Sequence, residues 1–407
     1  MKHLRLFWEF FKISLFVVGG GYAIIVVADE IFGKKRKWLA EGELVDHLPV
    51  FQMIPGLIAG NTAIYTGLKT LGRTGAAAAL LGVALPSFVI FLAVSLGYSR
   101  LPVDNPFVAG ALGGLRAALT GIVFGTLLRG WRKSVVGVYG WFAVAVASVL
   151  LIVFHWNVVA ALLCAMAAGL AWTFAGGKLP SVEERSAGIA LAPLSRGARL
   201  ASVLALVGVG TAVTLLCGAA YWTFVKFGLL GFGGGYVLIP LYLQSFVGEA
   251  APYLQLPLEE FSNLMALTQS TPGPVSVNAA TFFGYRLLAP YGLLAGIAGA
   301  AVATAALLLP SFFLLTTALQ GLEKWKRSRL VQGILFGVRP ATSALILQAG
   351  LVFAGLSVWK DGFNPFAACL AVLAGTLLLT RKLSVMATIC LCAALGASGA
   401  CVAHSLL

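Results

Sequence analysis

Charge is scarce along this chain: only 10% of its residues are Asp, Glu, Lys or Arg, and 14 acidic residues stand against 28 basic ones. With 60% hydrophobic residues and a mean hydropathy of +0.95, too little polar material remains to cover a soluble surface. The apolar surface must therefore face lipid. The four histidines, His3, His47, His155 and His404, are scattered. The six cysteines, Cys164, Cys217, Cys369, Cys390, Cys392 and Cys401, sit in apolar runs without metal-ligand spacing, so they read as small buried hydrophobes and a metal centre has no support. No Ser/His/Asp set and no phosphate-binding loop is present, which excludes the common enzyme classes and leaves no cofactor to expect. Strict apolar/polar alternation is absent too, which excludes a β-barrel. A cleavable leader is not expected, because Glu9 and Lys12 interrupt the first apolar stretch and the same stretch recurs in mid-chain.

What the chain does have is long apolar runs: Ala76 to Ser99, Trp141 to Phe154, Val158 to Ala175, Ala201 to Ala220, Ala289 to Leu322, Leu330 to Phe353 and Ser384 to Val402. These runs read as membrane helices or helix pairs. The formal charge of +14 invites a nucleic-acid reading, but the basic residues lie in short inter-helix loops and read as topology signals.

The chain also repeats itself. Trp8, Lys12 and Gly19-Gly20-Gly21-Tyr22 return 214 residues later as Trp222, Lys226 and Gly233-Gly234-Gly235-Tyr236. Gln52, Pro55-Gly56, Asn61 and Gly67 return as Gln269, Pro272-Gly273, Asn278 and Gly284; Leu85-Pro86-Ser87-Phe88 returns as Leu309-Pro310-Ser311-Phe312. Gly110, Gly114 and Arg116 return as Gly333, Gly337 and Arg339. A drifting offset with one motif order means two homologous halves, and duplicated apolar halves are a signature of secondary transporters. The expected organisation is an N-terminal repeat over 1–175, a linker and added helix over 176–220, and a C-terminal repeat over 221–407.

Leu200 to Ala219 has no counterpart before Trp8, so the second repeat enters the membrane from the opposite side if each repeat crosses an even number of times. Charge agrees with this. The loop Lys34-Lys35-Arg36-Lys37 is basic, while its equivalent over Val247 to Glu260 carries Glu249, Glu259 and Glu260 and no positive residue. The positive-inside rule then places the first loop and the N-terminus in the cytoplasm and the C-terminus on the periplasmic side. Lys2, Arg5, Lys69 and Arg73 ask for the same side as the first loop, although segments such as Phe7 to Val18 and Leu57 to Leu68 are only 12 residues long. At about 1.5 Å per residue, such a segment reaches about 18 Å into a core of about 30 Å. Two re-entrant hairpins per repeat, with tips at Gly19-Gly20-Gly21 and Pro55-Gly56, fit these constraints; ordinary kinked spanning helices are the alternative. The fold class is thus an all-α polytopic membrane protein of two inverted-topology repeats with broken or re-entrant helices.

Four basic residues lie within apolar runs, Lys12, Arg116, Lys226 and Arg339, as two repeat-related pairs. A cation near the bilayer centre costs roughly 2.5–3.5 kcal/mol and asks for compensation. The alternative for the lysines is snorkelling near a helix end, and for the arginines a structural pair with a carboxylate. The membrane-adjacent carboxylates are Glu9, Asp29, Glu43 and Glu260, which are also the candidates for coupling. An excess of buried cation over buried anion points to an anionic substrate. Glycines at the tips, Gly20, Gly56, Gly234 and Gly273, allow close approach of main-chain N–H groups at helix ends. Gln52, Asn61, Gln269, Asn278 and Thr271, with Ser270 and Ser276, can donate to oxyanion oxygens or bond between helices.

Gly-Gly-Gly-Tyr after an aromatic segment with lysine, Gln-x-x-Pro-Gly with a later asparagine, and Leu-Pro-Ser-Phe, each present twice, resemble the chromate ion transporter family in its long two-domain form. The resemblance covers 7–175 and 221–405. Phe232-Gly233-Gly234-Gly235-Tyr236 and Thr271-Pro272-Gly273-Pro274 are close to the family pattern, whereas Ile54-Pro55-Gly56-Leu57 lacks the second proline, so the two tips are expected to be unequal. What the resemblance implies is a bacterial inner-membrane exporter of chromate by alternating access. Its partners would be chromate, sulfate as a second oxyanion, and the lipid bilayer, with a homodimer as candidate assembly. An oxyanion importer and an anion channel remain alternatives.

Overall fold

The computed structural model describes residues 1–17, 21–98, 100–177, 218–232, 235–318, 328–360 and 362–406, with a few isolated positions between 197 and 211. Most of the expected linker, most of the unmatched helix, and the tip residues Gly20 and Gly234 lie outside them.

Helices follow in the order α1 Lys2–Phe16, α2 Gly21–Asp29 continued by a π turn Glu30–Lys35, α3 Glu43–Asp46, α4 Leu48–Met53, α5 Ile58–Tyr98, α6 Pro106–Ser134, α7 Gly137–Ser148 with a π turn Val149–Val153, and α8 Val158–Phe174. The second half gives α9 Ala219–Leu230, α10 Ile239–Phe246, α11 Leu258–Ser270, α12 Val275–Leu288, α13 Leu293–Ala318, α14 Arg329–Val358, α15 Pro365–Thr380 and α16 Val385–Leu406. Among the described residues five helices are long and apolar enough to cross a membrane, and the chain is an all-α polytopic membrane protein. Helix α15 was not among the apolar runs singled out above.

Local chemistry sets the boundaries. Asn105 caps α6 by accepting from Phe107 N at 2.9 Å, with Pro106 as the first helical residue; Asn364 and Pro365 repeat the device at α15, accepting from Ala367 N at 3.0 Å. Helix α1 buries Leu6, Phe10 and Ile13, one face at helical spacing. Helix α5 breaks at Gly72, whose φ of 70° and ψ of −156° are not helical, leaving arms Ile58–Leu71 and Arg73–Tyr98. The second half has the same division between α12 and α13, with Gly292 at φ 114° in the turn. In both halves the short arm has about 14 residues and reaches about 21 Å, and the long one about 39 Å. Short arm folds onto long arm at matched glycines. A Cβ on Gly67 would meet the backbone of Gly75 and Ala76 at 2.4 Å, and one on Gly284 would meet Ala303 Cβ at 2.4 Å and Gly299 O at 2.6 Å.

The chain forms two compact units, and each draws on both repeats. The first comprises Met1–Leu92, Met166–Leu238 and Pro272–Val338. Its core joins Leu6, Phe10, Ile24, Phe51, Ile64 and Tyr65 from the first half with Val277, Leu308 and Leu315 from the second. The second comprises Ala93–Ala165, Ile239–Thr271 and Arg339–Leu407, built around α6, which packs on α11, α15 and α16. Small residues set that spacing: a Cβ on Gly114 or Gly121 would stand 2.1 or 2.0 Å from the carbonyl oxygens of Cys392 and Ala371.

The cysteine reading needs correction. Cys392 is buried, but Cys164, Cys369, Cys390 and Cys401 are exposed, and Cys217 lies outside the described residues. In a membrane protein an apolar run has a lipid-facing side as well as a packed one, so apolar surroundings in sequence do not mean burial.

Candidate functional site

The two Pro-Gly tips lie in the first unit, each immediately before a helix N-terminus, where first-turn N–H groups lack intrahelical acceptors. Gly56 has φ 112° and Gly273 φ 96°, a region open to glycine and costly to other residues. Each tip rests on the Leu-Pro-Ser-Phe serine of the opposite repeat. A Cβ added to Gly56 would stand 1.7 Å from Ser311 Oγ, and one added to Gly273 would stand 1.7 Å from Ser87 Oγ. The two tips, expected to be unequal because Leu57 stands where Pro274 does, are geometrically matched. Their backbone path is set by the glycine and the following helix start, which both have.

Further groups converge there. Gly56 N donates to Gly231 O at 3.1 Å. Asn61, fully buried, donates through Nδ2 to Phe51 O at 3.0 Å and Ile54 O at 3.2 Å, which fixes its Oδ1 toward Gly56. Ser14 Oγ donates to Val83 O at 2.7 Å and borders Gly273. Gly235, last of the second glycine triplet, lies against Val275 and Ser276 at the start of α12. Among the described residues Ser87 Oγ, Ser311 Oγ and Asn61 Oδ1 are buried with no hydrogen-bond partner.

The cations fall into two kinds. Lys12 pairs with Glu9 at 2.8 Å, and in the second unit Arg116 Nη1 pairs with Glu259 at 3.0 Å while Lys360 binds the same carboxylate. Their repeat mates differ: Lys226 is half-buried, Arg339 is exposed, and neither forms an ion pair among the described residues. The acceptor of Arg116 is thus Glu259, outside the four carboxylates considered from sequence.

The carboxylates overturn one premise. Among the described residues the buried charged side chains are Glu9, Asp29 and Glu43, and no lysine or arginine is fully buried. Long cationic side chains carry their heads outward, whereas a short carboxylate stays where its donors are. Glu9 also binds Arg36; Asp29 accepts from Gly42 N and Leu44 N at 3.0 Å each and so holds the start of α3; Glu43 accepts from Tyr65 Oη, Lys69 Nζ and Ala40 N. These three groups are engaged. Glu260, Gln52 and Asn278 are engaged as well. In the second unit Thr271 Oγ1 donates to Leu267 O at 2.7 Å, while Gln269 Nε2 is buried without a partner.

A family profile described as chromate transporter matches residues 4–170 and 218–397. The chain belongs to the chromate transporter family. Chromate transport proteins of Pseudomonas aeruginosa and Cupriavidus metallidurans are each 26% identical to it, over 92% and 93% of this chain and 87% and 89% of theirs. An uncharacterized transporter of Methanocaldococcus jannaschii is 24% identical over 97% of this chain and 93% of its own. No solved structure matches the chain. Members of the chromate transporter family are transporters, not enzymes.

Within this family framework, sequence reasoning missed Ser87, Ser311 and Glu259. The two serines were visible as part of a repeated motif, and a serine repeated in step with a proline inside an otherwise apolar helix is the signal that could have found them.

Proposed function

We propose that this chain carries chromate out of the bacterial cytoplasm across the inner membrane, by alternating access of two inverted repeats. One observation carries the reading: within one compact unit each Pro-Gly tip meets a buried serine of the opposite repeat, so main-chain N–H groups at a helix start stand beside a hydroxyl in both halves. Such a donor set suits a tetrahedral oxyanion. Family membership supports chromate as the cargo. Gly56, Gly273, Asn61 and Asn278 line the tips, while Gly20 and Gly234 complete the glycine triplets in sequence. Lys226 and Arg339, without an ion pair among the described residues, supply positive charge, with Lys12 and Arg116 in supporting ion pairs. Gln52, Gln269 and Thr271 flank the Pro-Gly breaks, and Glu9, Asp29, Glu43 and Glu260 are the coupling candidates.

In this reading the short arms dip into the membrane and return, the N-terminus lies in the cytoplasm and the C-terminus in the periplasm. Labelling of cysteines placed at 35 and 71 in a cysteine-free background should then occur from the same side. Opposite-side labelling removes the hairpins and leaves the inversion standing.

The deciding experiment is uptake of labelled chromate and sulfate by proteoliposomes with imposed pH and potential gradients. Saturable chromate uptake with trans-stimulated exchange is expected. Non-saturating flux identifies an anion channel, and sulfate uptake without chromate uptake identifies a different oxyanion cargo.

A further inference from the structure

We propose that Ser87 and Ser311 are a symmetry-related pair of oxyanion ligands, each presented to its ion together with the helix start that follows the opposite repeat's Pro-Gly tip. The inference rests on the oxyanion reading above and assigns that site two residues of its own. Ser87 is 0% exposed and Ser311 2%. Neither hydroxyl has a hydrogen-bond partner among the described residues. Burying a hydroxyl without a partner is unfavourable, and both repeats do so at the same motif position.

The usual outlet for a helical serine is the carbonyl four residues back. For Ser87 that carbonyl is Val83 O, and Ser14 Oγ already occupies it at 2.7 Å. The hydroxyl of Ser87 instead lies against Gly273, two residues before α12 begins; Ser311 lies likewise against Gly56, two residues before α5 begins. Each hydroxyl therefore shares its surroundings with first-turn N–H groups of the helical arm that follows the tip, where an anion is favoured by both dipole and donors. Glycine at the tip is what lets main chain and hydroxyl come so close. A ligand oxygen accepting from both would satisfy the orphaned donor and the helix start together.

The two places are not chemically identical. Beside Gly56 stands Asn61 Oδ1, an acceptor whose amide nitrogen is committed to Phe51 O and Ile54 O. An oxyanion there needs a bridging water or a proton of its own. Beside Gly273 stands Ser14 Oγ, a second hydroxyl.

The test is chromate binding to the purified full-length protein and to Ser87→Ala and Ser311→Ala, by titration and by chromate-induced thermal stabilisation, with sulfate in parallel. Each alanine variant should be at least as stable as wild type without ligand, because an orphaned hydroxyl is removed, and should bind chromate at least tenfold more weakly. Wild-type affinity in both variants overturns the serine assignment and leaves the transport reading intact. A variant that melts well below wild type without ligand also overturns it, since the hydroxyl would then be serving the fold. If wild type binds sulfate but not chromate, the cargo reading fails and the serines are judged on sulfate by the same criterion. If it binds neither, both readings fall.

Discussion

The two repeats agree at their Pro-Gly tips and disagree in their charges. At the tips, each glycine has a positive φ near 100°, and each would place a Cβ 1.7 Å from a serine oxygen of the other repeat. In the charges, Lys12 has Glu9 three residues earlier, whereas Lys226 has Thr223 at the equivalent position; Arg116 has Glu259, and Arg339 has no ion pair among the described residues. Backbone geometry that depends on glycine is matched in both halves, while of the two repeat-related cation pairs only Lys12 and Arg116 are ion-paired among the described residues. A mobile anion is best held by cations that are not already neutralised.

The largest effect should come from breaking what the repeats share. Gly56→Val or Gly273→Val adds a Cβ into a serine and forces a left-handed backbone worth about 1–2 kcal/mol of strain, so both should abolish transport, and to the same degree. Gly72→Ala is the control, since Gly72 has φ 70° and nothing within 4 Å of its Cβ position: it carries the strain without the collision. Partial rescue sharpens the test. Removing the hydroxyl leaves Ser87 Cβ at 3.0 Å from the new methyl but Ser311 Cβ at 2.7 Å, so Ser87→Ala should restore the thermal stability of Gly273→Ala better than Ser311→Ala restores that of Gly56→Ala. Transport that survives either valine variant, or that is lost in only one, would show the matched geometry to be incidental.

The charge difference predicts a smaller and unequal pattern. Lys226→Gln and Arg339→Gln should each lower transport about tenfold, about 1.4 kcal/mol, with stability unchanged within about 0.5 kcal/mol. Arg116→Gln should mainly act on stability, by about 1 kcal/mol or less, because Glu259 is 43% exposed and keeps Lys360. Thermal unfolding and proteoliposome flux, measured on the same preparations, separate the two. Should Arg116→Gln and Arg339→Gln prove alike in both measurements, the division between compensated and free cations is wrong.

The membrane helices and the position of both tips were legible in the sequence because they depend on run length and glycine-proline chemistry, both of which are local. The partners of the tips were not. Ser87 and Gly273 are brought together only when one repeat packs across the other, and a serine in an apolar helix reads first as an interhelical hydrogen bond. Glu259 was missed for another reason. Membrane adjacency pointed to Glu260, but neighbours on a helix project about 100° apart, so the residue beside it can face a different partner. The excess of buried cation failed because composition counts charges without saying which heads reach the surface.

The smallest effect concerns Ser14, which has glycine, Gly228, as its repeat mate. In the first half the hydroxyl bridges α1 to Val83 O at 2.7 Å; in the second, α9 packs so closely on α13 that a Cβ on Gly228 would stand 2.3 Å from Leu307 O. Val83 and Leu307 are themselves repeat mates, so one helix crossing is built in two ways, by a hydrogen bond and by close contact. Interhelical hydrogen bonds in membranes average about 0.6 kcal/mol, because the unfolded chain in lipid also finds partners. Ser14→Ala should therefore lower stability by about 0.6 kcal/mol in thermal unfolding, with the crossing otherwise kept. A second role is separable, since Ser14 Oγ lies 3.3 Å from the Cβ position of Gly273. If Ser14→Ala leaves chromate affinity at the wild-type value, the serine is a spacer between helices. Weaker binding at unchanged stability would instead make Ser14 part of the second-repeat tip, and the difference between the repeats would then extend from their packing to the ion itself.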